Sequence, residues 1–317
     1  MDPRLSAHLE LSRRSPRELH FESSSRCNGA CITCPREGMQ RSGEMSREIF
    51  VKGVDEAAAA GWRLDYFHYH LNGEPLFLDI DELVWRIDYS RDKLPGKPVL
   101  CFFTNASLLT SDKSLKILNS KLDKIVFSID GGTKEAFERC RPGLKWETVV
   151  GNVRNFMALK RELGSTIATQ TAFVPSIYNQ ESLKHYYPLF KSMGIDDVGG
   201  SGVNNIGGLI DSKAMRLPAQ YTGGNVKAAC WRVFIDLSIC SDGKAVVCCQ
   251  DVGAREVIGD LNKESIVDIW QKGMRRIQDL HLELRQGEIP FCKNCDYMNS
   301  FCFKEEDKEW WPTPTNK

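Results

Sequence analysis

The chain has 317 residues, and its 42 lysines and arginines are balanced by 42 aspartates and glutamates. Zero formal net charge gives no electrostatic reason to expect nucleic acid or an anionic membrane surface as partner. No apolar run approaches the roughly 20 residues of a membrane span, the N-terminus lacks the apolar stretch of a secretory signal, and the length implies one large domain plus a small one. Twelve cysteines in such a chain point to a reducing, cytoplasmic setting, where thiols serve metals or chemistry rather than disulfides.

In chain order, a short strand is predicted at 19–22. Behind it, Cys27-Asn28-Gly29-Ala30-Cys31-Ile32-Thr33-Cys34 places three thiols on one loop, spaced C-x3-C-x2-C. Three thiolates can hold three irons of a [4Fe–4S] cluster, which four cysteines normally hold. One iron is then left for a ligand from outside the protein. Gly29 gives such a loop backbone freedom. Zinc would need a fourth ligand close by, and His20 and His68 do not continue a zinc-finger spacing.

Further strands are predicted at 66–71, 99–103, 124–129, 167–173 and 197–203, with helices at 47–60, 80–89, 111–119, 146–163 and 181–193. This alternation predicts a parallel sheet covered by helices. Six units with right-handed crossovers fit a partial (β/α)6 barrel, although a flat doubly wound sheet has the same local pattern. In a barrel the chemistry sits at the C-terminal strand ends. Polar clusters fall there: Asn72-Gly73-Glu74-Pro75, Thr104-Asn105, Ser128-Ile129-Asp130-Gly131 and, further on, Arg141-Pro142-Gly143. Taken singly, each is also ordinary turn chemistry. Gln170 faces the mouth if Ile167, Thr169 and Thr171 face away. His68 and His70 share one face of the second strand and are expected to be packed and hydrogen-bonded.

Residues 199–224 are rich in glycine, serine and asparagine and read as a connector. A second cysteine set follows: Cys230, Cys240, Cys248, Cys249, Cys292, Cys295 and Cys302. Cys230 and Cys248 flank a predicted hairpin, 231–239 and 245–249, turned at Ser241-Asp242-Gly243. Cys292 and Cys295 form a C-x2-C pair after Pro290. Four thiols from a hairpin and a knuckle can encage a [4Fe–4S] cluster or bind zinc. Adjacent strand residues face opposite sides, so with Cys248 turned to a metal, Cys249 is expected to point away, as an S–H near the barrel mouth. A small buried apolar cysteine is the plain alternative.

The C-x3-C-x2-C loop resembles the signature of the radical S-adenosylmethionine (SAM) enzymes, and the later segments resemble that family's in the same order. Thr33 stands where the family often has an aromatic residue, Asn72 replaces the first glycine of its GGE-like segment, and Ala106 replaces the glycine of its TNG segment. The resemblance implies a partial (β/α)6 radical SAM barrel with a cluster on Cys27, Cys31 and Cys34, whose open iron takes the amino and carboxylate groups of SAM. It also implies cofactor contacts from Asn72, Gly73, Glu74, Asn105, Ser128, Asp130, Arg141 and Gln170. Glu74 would receive the SAM ammonium, and the planar fork of Arg141 its carboxylate.

The order C-x12-G-x4-C, then C-x2-C, resembles the SPASM/twitch extension of that family. So do Gly259-Asp260-Leu261 and the stretch 266–270. The likeness implies a small C-terminal auxiliary domain with a second [4Fe–4S] cluster on Cys230, Cys248, Cys292 and Cys295, with Cys302 as competitor. The expected division is a barrel at 1–204, a linker at 205–228, the auxiliary domain at 229–303 and a tail at 304–317.

Within the family, the chain resembles aminoglycoside-tailoring members. That implies an epimerase inverting a sugar carbon, of the neomycin C to neomycin B type. A 5′-deoxyadenosyl radical would abstract the hydrogen and Cys249, as catalytic residue, would return one. The alternatives are a dehydrogenase oxidising an aminocyclitol or sugar alcohol through the auxiliary cluster, a peptide-modifying maturase, or a non-enzymatic metal-binding scaffold. Implied partners are the aminoglycoside, SAM as co-substrate and an external one-electron reductant of the flavodoxin or ferredoxin type.

Overall fold

A computed structural model of the protein describes residues 3–200, 202–217 and 229–296. An N-terminal helix, α1 (Pro3–Arg14), precedes the sheet. The chain then alternates: β1 (Glu18–Phe21), α2 (Arg47–Ala59), β2 (Tyr66–His68), α3 (Ile80–Lys93), β3 (Val99–Thr104), α4 (Ser111–Leu118) and β4 (Lys124–Ser128). It continues with α5 (Lys134–Cys140), α6 (Trp146–Glu162), β5 (Ala168–Ala172), α7 (Leu183–Ser192) and β6 (Asp197–Val198). All six strands pair parallel and in sequence order, giving the parallel sheet that the alternation predicts, in the form of a partial (β/α)6 barrel.

The helices start where side chains can take the unpaired amides of the first turn. Ser46 accepts from the Ile49 amide, Asp79 from those of Asp81 and Glu82, and Thr110 from that of Lys113. Helix α5, capped by Thr133, is absent from the sequence-based elements. At seven residues, next to Asp130-Gly131-Gly132, its pattern is masked by turn residues.

The strands separate two environments. Leu19, Phe21, Phe67 and Tyr69 are fully buried against the helices, with the Phe21 and Phe50 rings 5.7 Å apart. The alternate residues of the same strands, Glu18, His20 and His68, are polar and face the inner side. A strand's period of two thus produces an apolar outer face and a polar inner one.

After the connector, whose described part carries the short helix α8 (Ser212–Met215), the chain rejoins the same sheet. β7 (Asp236–Ile239) pairs parallel with β1, and β8 (Lys244–Val246) and β9 (Val257–Asp260) follow antiparallel. The sheet therefore has nine strands in the order β6-β5-β4-β3-β2-β1-β7-β8-β9. The predicted hairpin is shorter than expected. Its first arm opens as a 3-10 turn, Trp231–Phe234, and its second stops at Val246.

A last helical stretch runs from α9 (Ile266–Asp268) through a π-helical turn, Ile269–Met274, into α10 (Arg275–Leu282). A side chain at Gly273 would lie 1.9 Å from the Ile258 carbonyl, so glycine lets the widened turn touch β9. Cys302 and the expected tail, 304–317, lie outside the described residues.

Candidate iron–sulfur and cofactor site

Cys27, Cys31 and Cys34 lie on the loop after β1, all half-buried. The loop is clamped from below: the Ala30 amide donates to the Pro142 carbonyl at 2.8 Å, and the Ile32 amide to that of Cys140 at 3.1 Å. Burial pushes the Cys31 and Cys34 thiols up, Cys34 to about 12, so thiolate ligation there depends on a metal to hold the anion.

Arg141, at the C-terminus of α5, reaches both neighbours of this site. Its Nη2 lies 2.8 Å from Asp130 Oδ2, and its Nη1 donates to Cys31 Sγ at 3.7 Å. Asp130 Oδ1 accepts from the Val174 amide at 2.8 Å, tying the end of β4 to that of β5. Asn105 Nδ2 donates to Asn28 Oδ1 at 3.1 Å and lies 3.8 Å from Cys27 Sγ.

The loop after β2 lies across the chain after β1. A side chain at Gly73 would sit 2.0 Å from the Ser24 carbonyl oxygen, so only glycine lets the two backbones meet. Beside it, Glu74 is 2 % exposed. Its Oε1 accepts from Thr104 Oγ1 at 2.7 Å and from the Leu76 amide at 3.2 Å, and its Oε2 accepts from the Asn105 amide at 2.7 Å. Burial raises its pKa against these donors. A buried carboxylate of this kind, with an acceptor position left on Oε2, suits a cationic group.

Ser128 closes β4, half-buried at the same rim. Gln170 alternates with the buried Thr169 and Thr171, and its Nε2 donates to Asp197 Oδ2 at 2.7 Å. The Asn72 side chain donates to the Cys249 carbonyl at 3.3 Å, bringing the C-terminal cysteine turn to this rim. The donor set fits the groups expected: three thiols on one loop, a guanidinium against them and a buried carboxylate nearby.

In the C-terminal region, Cys230, Cys248 and Cys292 are buried and Cys295 is half-buried. The Cys292 thiol is pushed up by burial, with Cys230 and Cys295 close enough to add to it. Cys240 stands elsewhere, near Glu22 and Arg41. The expected opposition of Cys248 and Cys249 does not occur. Their ligand atoms and a carboxylate oxygen of Asp236 lie within 4.8 Å of one another, because β8 ends at Val246 and strand alternation no longer applies beyond it. The hydrogen bond between the two thiols lowers the pKa of Cys248, but burial leaves it above the ordinary value, and the same bond together with burial raises that of Cys249 well above it, so both stay protonated. Arg232 Nη1 donates to Cys249 Sγ at 3.3 Å.

Two contributors escape the sequence reading. Glu22 accepts from the Asn72 amide at 3.1 Å, from the Ser241 amide at 3.0 Å and from Arg41 Nε at 2.7 Å, joining the SAM-side loop to the C-terminal turn. Its signal was the polar period Glu18, His20, Glu22. Arg232 carried no motif at all.

A parallel barrel with thiols and polar loops at its C-terminal rim, extended by a cysteine-rich domain, defines an iron–sulfur enzyme of the SAM-dependent class. Residues 21–171 match the radical SAM superfamily, and residues 230–296 match SPASM, an iron–sulfur cluster-binding domain. The chain belongs to the radical SAM enzymes that carry a SPASM domain, and its cofactors are a radical SAM [4Fe–4S] cluster, an auxiliary cluster and SAM.

Among solved structures, BtrN in complex with AdoMet and 2-DOIA aligns at TM-score 0.59 and 17 % identity, over 88 % of this chain and 92 % of BtrN. Streptococcus suis SuiB bound to the precursor peptide SuiA aligns at TM-score 0.63 and 14 % identity, over 91 % of this chain and 73 % of SuiB. Native anSMEcpe with bound AdoMet aligns at TM-score 0.63 and 15 % identity, over 89 % and 86 %. At these identities the likeness is one of fold. An uncharacterized protein of Treponema pallidum (strain Nichols) is 29 % identical over 75 residues, which span 23 % of this chain and 20 % of that protein. No described helix is long and apolar enough to cross a membrane.

Proposed function

We propose that the protein is a radical SAM epimerase inverting a sugar carbon of an aminoglycoside, of the neomycin C to neomycin B type. The bound cofactors supply a 5′-deoxyadenosyl radical that breaks the substrate C–H bond. Glu74 and Arg141 bind the amino-acid end of SAM.

The observation that carries the reading is the Cys249 thiol. Its backbone is tied to Asn72 beside the SAM loop, and the hydrogen bond with Cys248 together with burial raises its pKa well above the ordinary thiol value, so it carries an S–H. The S–H bond is weaker than an alcohol-carbon C–H bond, so Cys249 gives a hydrogen atom to the opposite face of the substrate carbon. The thiyl left on Cys249 takes one electron from an external flavodoxin- or ferredoxin-type reductant, and one proton, to return to the thiol.

A second reading, oxidation of the same carbon by a dehydrogenase, is favoured by the nearness of Cys249 to Cys248, a contact that turns the thiol towards the auxiliary ligands. Anaerobic turnover with neomycin C in deuterated water separates the two. The epimerase gives a product of unchanged connectivity with one deuterium at the inverted carbon, and Cys249→Ala still makes 5′-deoxyadenosine but no epimer. A product lighter by two hydrogens, or undiminished epimer from Cys249→Ala, ends the proposal.

A further inference from the structure

His20, His68 and His70 form a cluster on the inner face of the sheet that the cofactor site does not use. His20 and His68 stand opposite each other in the β1–β2 register, and Cys101 stands opposite His68 in that of β2–β3. The rings of His20 and His68 stack with centroids 4.0 Å apart and planes 8° from parallel. They are 6 % and 8 % exposed. One ring nitrogen from each of the three histidines lies within 4.8 Å of the others'.

Carboxylates converge on the same spot. Glu18 Oε2 is 3.7 Å from His20 Nε2 and 3.6 Å from His68 Nε2, and Asp236 Oδ1 is 3.4 Å from His20 Nε2. None of these contacts has hydrogen-bonding geometry: both nitrogens of His20 and Nε2 of His68 are buried without a hydrogen-bond partner. A buried polar group without a hydrogen bond is unfavourable, and three such nitrogens meet here.

We propose that His20, His68 and Glu18 bind one divalent transition-metal ion of the zinc type, separate from the iron–sulfur clusters. Imidazole nitrogens with a carboxylate oxygen suit such ions. At metal–ligand distances of about 2.0–2.2 Å, a tetrahedral ion spaces its donors about 3.4 Å apart, so the 3.7 and 3.6 Å separations of Glu18 Oε2 from the two histidines need only a small contraction. The near-parallel rings must also splay, since an imidazole lone pair lies in the ring plane.

His68 Nδ1 meets Cys101 Sγ at 3.0 Å; with the ring proton on Nδ1 and directed at that sulfur, Nε2 holds the lone pair for the ion, as outer hydrogen bonds arrange in metal sites generally. His70 Nδ1 accepts the Phe103 amide at 3.2 Å, so its proton sits on Nε2 and it stands beside the ion rather than on it. Glu18 and Asp236 balance the dication, and the ion joins β1 to β2 beneath the barrel mouth.

The test uses holoenzyme reconstituted with iron and sulfide, freed of other metals by chelation and dialysed against micromolar Zn2+. The expected result is about one zinc per chain in the wild type, a raised Tm, and loss of both in His68→Gln and Glu18→Gln. No zinc in the wild type, or zinc undiminished in both variants, overturns the site. If the variants do not fold, anomalous scattering at the zinc edge from wild-type crystals decides. A peak between His20 and His68 supports the site, and a peak elsewhere or none overturns it, leaving a metal-free stacked imidazole pair.

Discussion

Replacing Glu74 by glutamine tests the cofactor rim with the least change of shape. The carboxylate takes three donors: the Thr104 hydroxyl, the Leu76 amide and the Asn105 amide. A glutamine can keep its oxygen on the first two only by turning its NH2 group to the Asn105 amide. One charge-assisted bond, worth about 1.5–3 kcal/mol, is then lost, and the Asn105 amide is left buried without an acceptor, at about 1–3 kcal/mol. Because burial already raises the pKa of Glu74, removing the charge recovers part of that desolvation cost. A net destabilisation of about 2–3 kcal/mol is therefore expected. A domain of ordinary stability survives it, with Tm lower by several degrees. If Glu74 also holds the SAM ammonium, Kd for SAM rises about 10- to 100-fold, at about 1.4 kcal/mol per decade. Thermal unfolding and anaerobic titration calorimetry on the reconstituted enzyme read the two effects separately. A Tm unchanged within error would refute the hydrogen-bond reasoning, and an unchanged Kd would refute the ammonium assignment while leaving the structural role intact.

Replacing Cys27, Cys31 and Cys34 together by alanine should leave the auxiliary cluster in place, with about four irons per chain on a [4Fe–4S] stoichiometry. Iron analysis showing none would mean that the C-terminal thiols do not hold iron by themselves. On α3, burial alone would raise the pKa of Glu82, but Arg47 and Arg86 hold it below the ordinary 4.5. A depressed folded-state pKa gives stability that is present above about pH 4.5 and lost as the pH falls below it. Glu82→Gln should cost about 1–2 kcal/mol at neutral pH, less than a fully buried pair because the carboxylate is partly solvated. Its unfolding curve should also respond less steeply to acid between pH 5 and 3 than the wild type's, and parallel curves would contradict the assignment.

Much of the barrel was legible because its signals are local. The strands of the first six units follow apolar runs, and Ser46, Asp79, Thr110 and Thr133 cap the helices α2 to α5. The cysteine loop and the Gly73-Glu74 turn were legible for the same reason: each is a few consecutive residues with one demanding geometry. What escaped depends on distance. Nothing near Asp236 announces that β7 will lie against β1, and nothing near Glu22 announces that its carboxylate joins three separate segments. The Cys248–Cys249 pair misled because the predicted strand runs to 249 whereas β8 ends at Val246, and the side-chain period of two is lost where the ladder stops. His68 read as a packed residue because its stacking on His20 arises from the register of two strands whose sequences lie far apart.

The central place of β1 carries a consequence for synthesis. β1 emerges early, but its neighbour on one side, β7, lies about 200 residues further along the chain. At translation rates of about 5–20 residues per second, that gap is on the order of 10–40 s. During this interval the nascent barrel presents a bare strand margin, with the apolar Leu19 and Phe21 on one side of it. Such a margin invites pairing with other chains. The C-terminal domain is thus the piece that seals the seam of the growing barrel. The period of greatest exposure to misassembly falls just before the second set of cysteines leaves the ribosome.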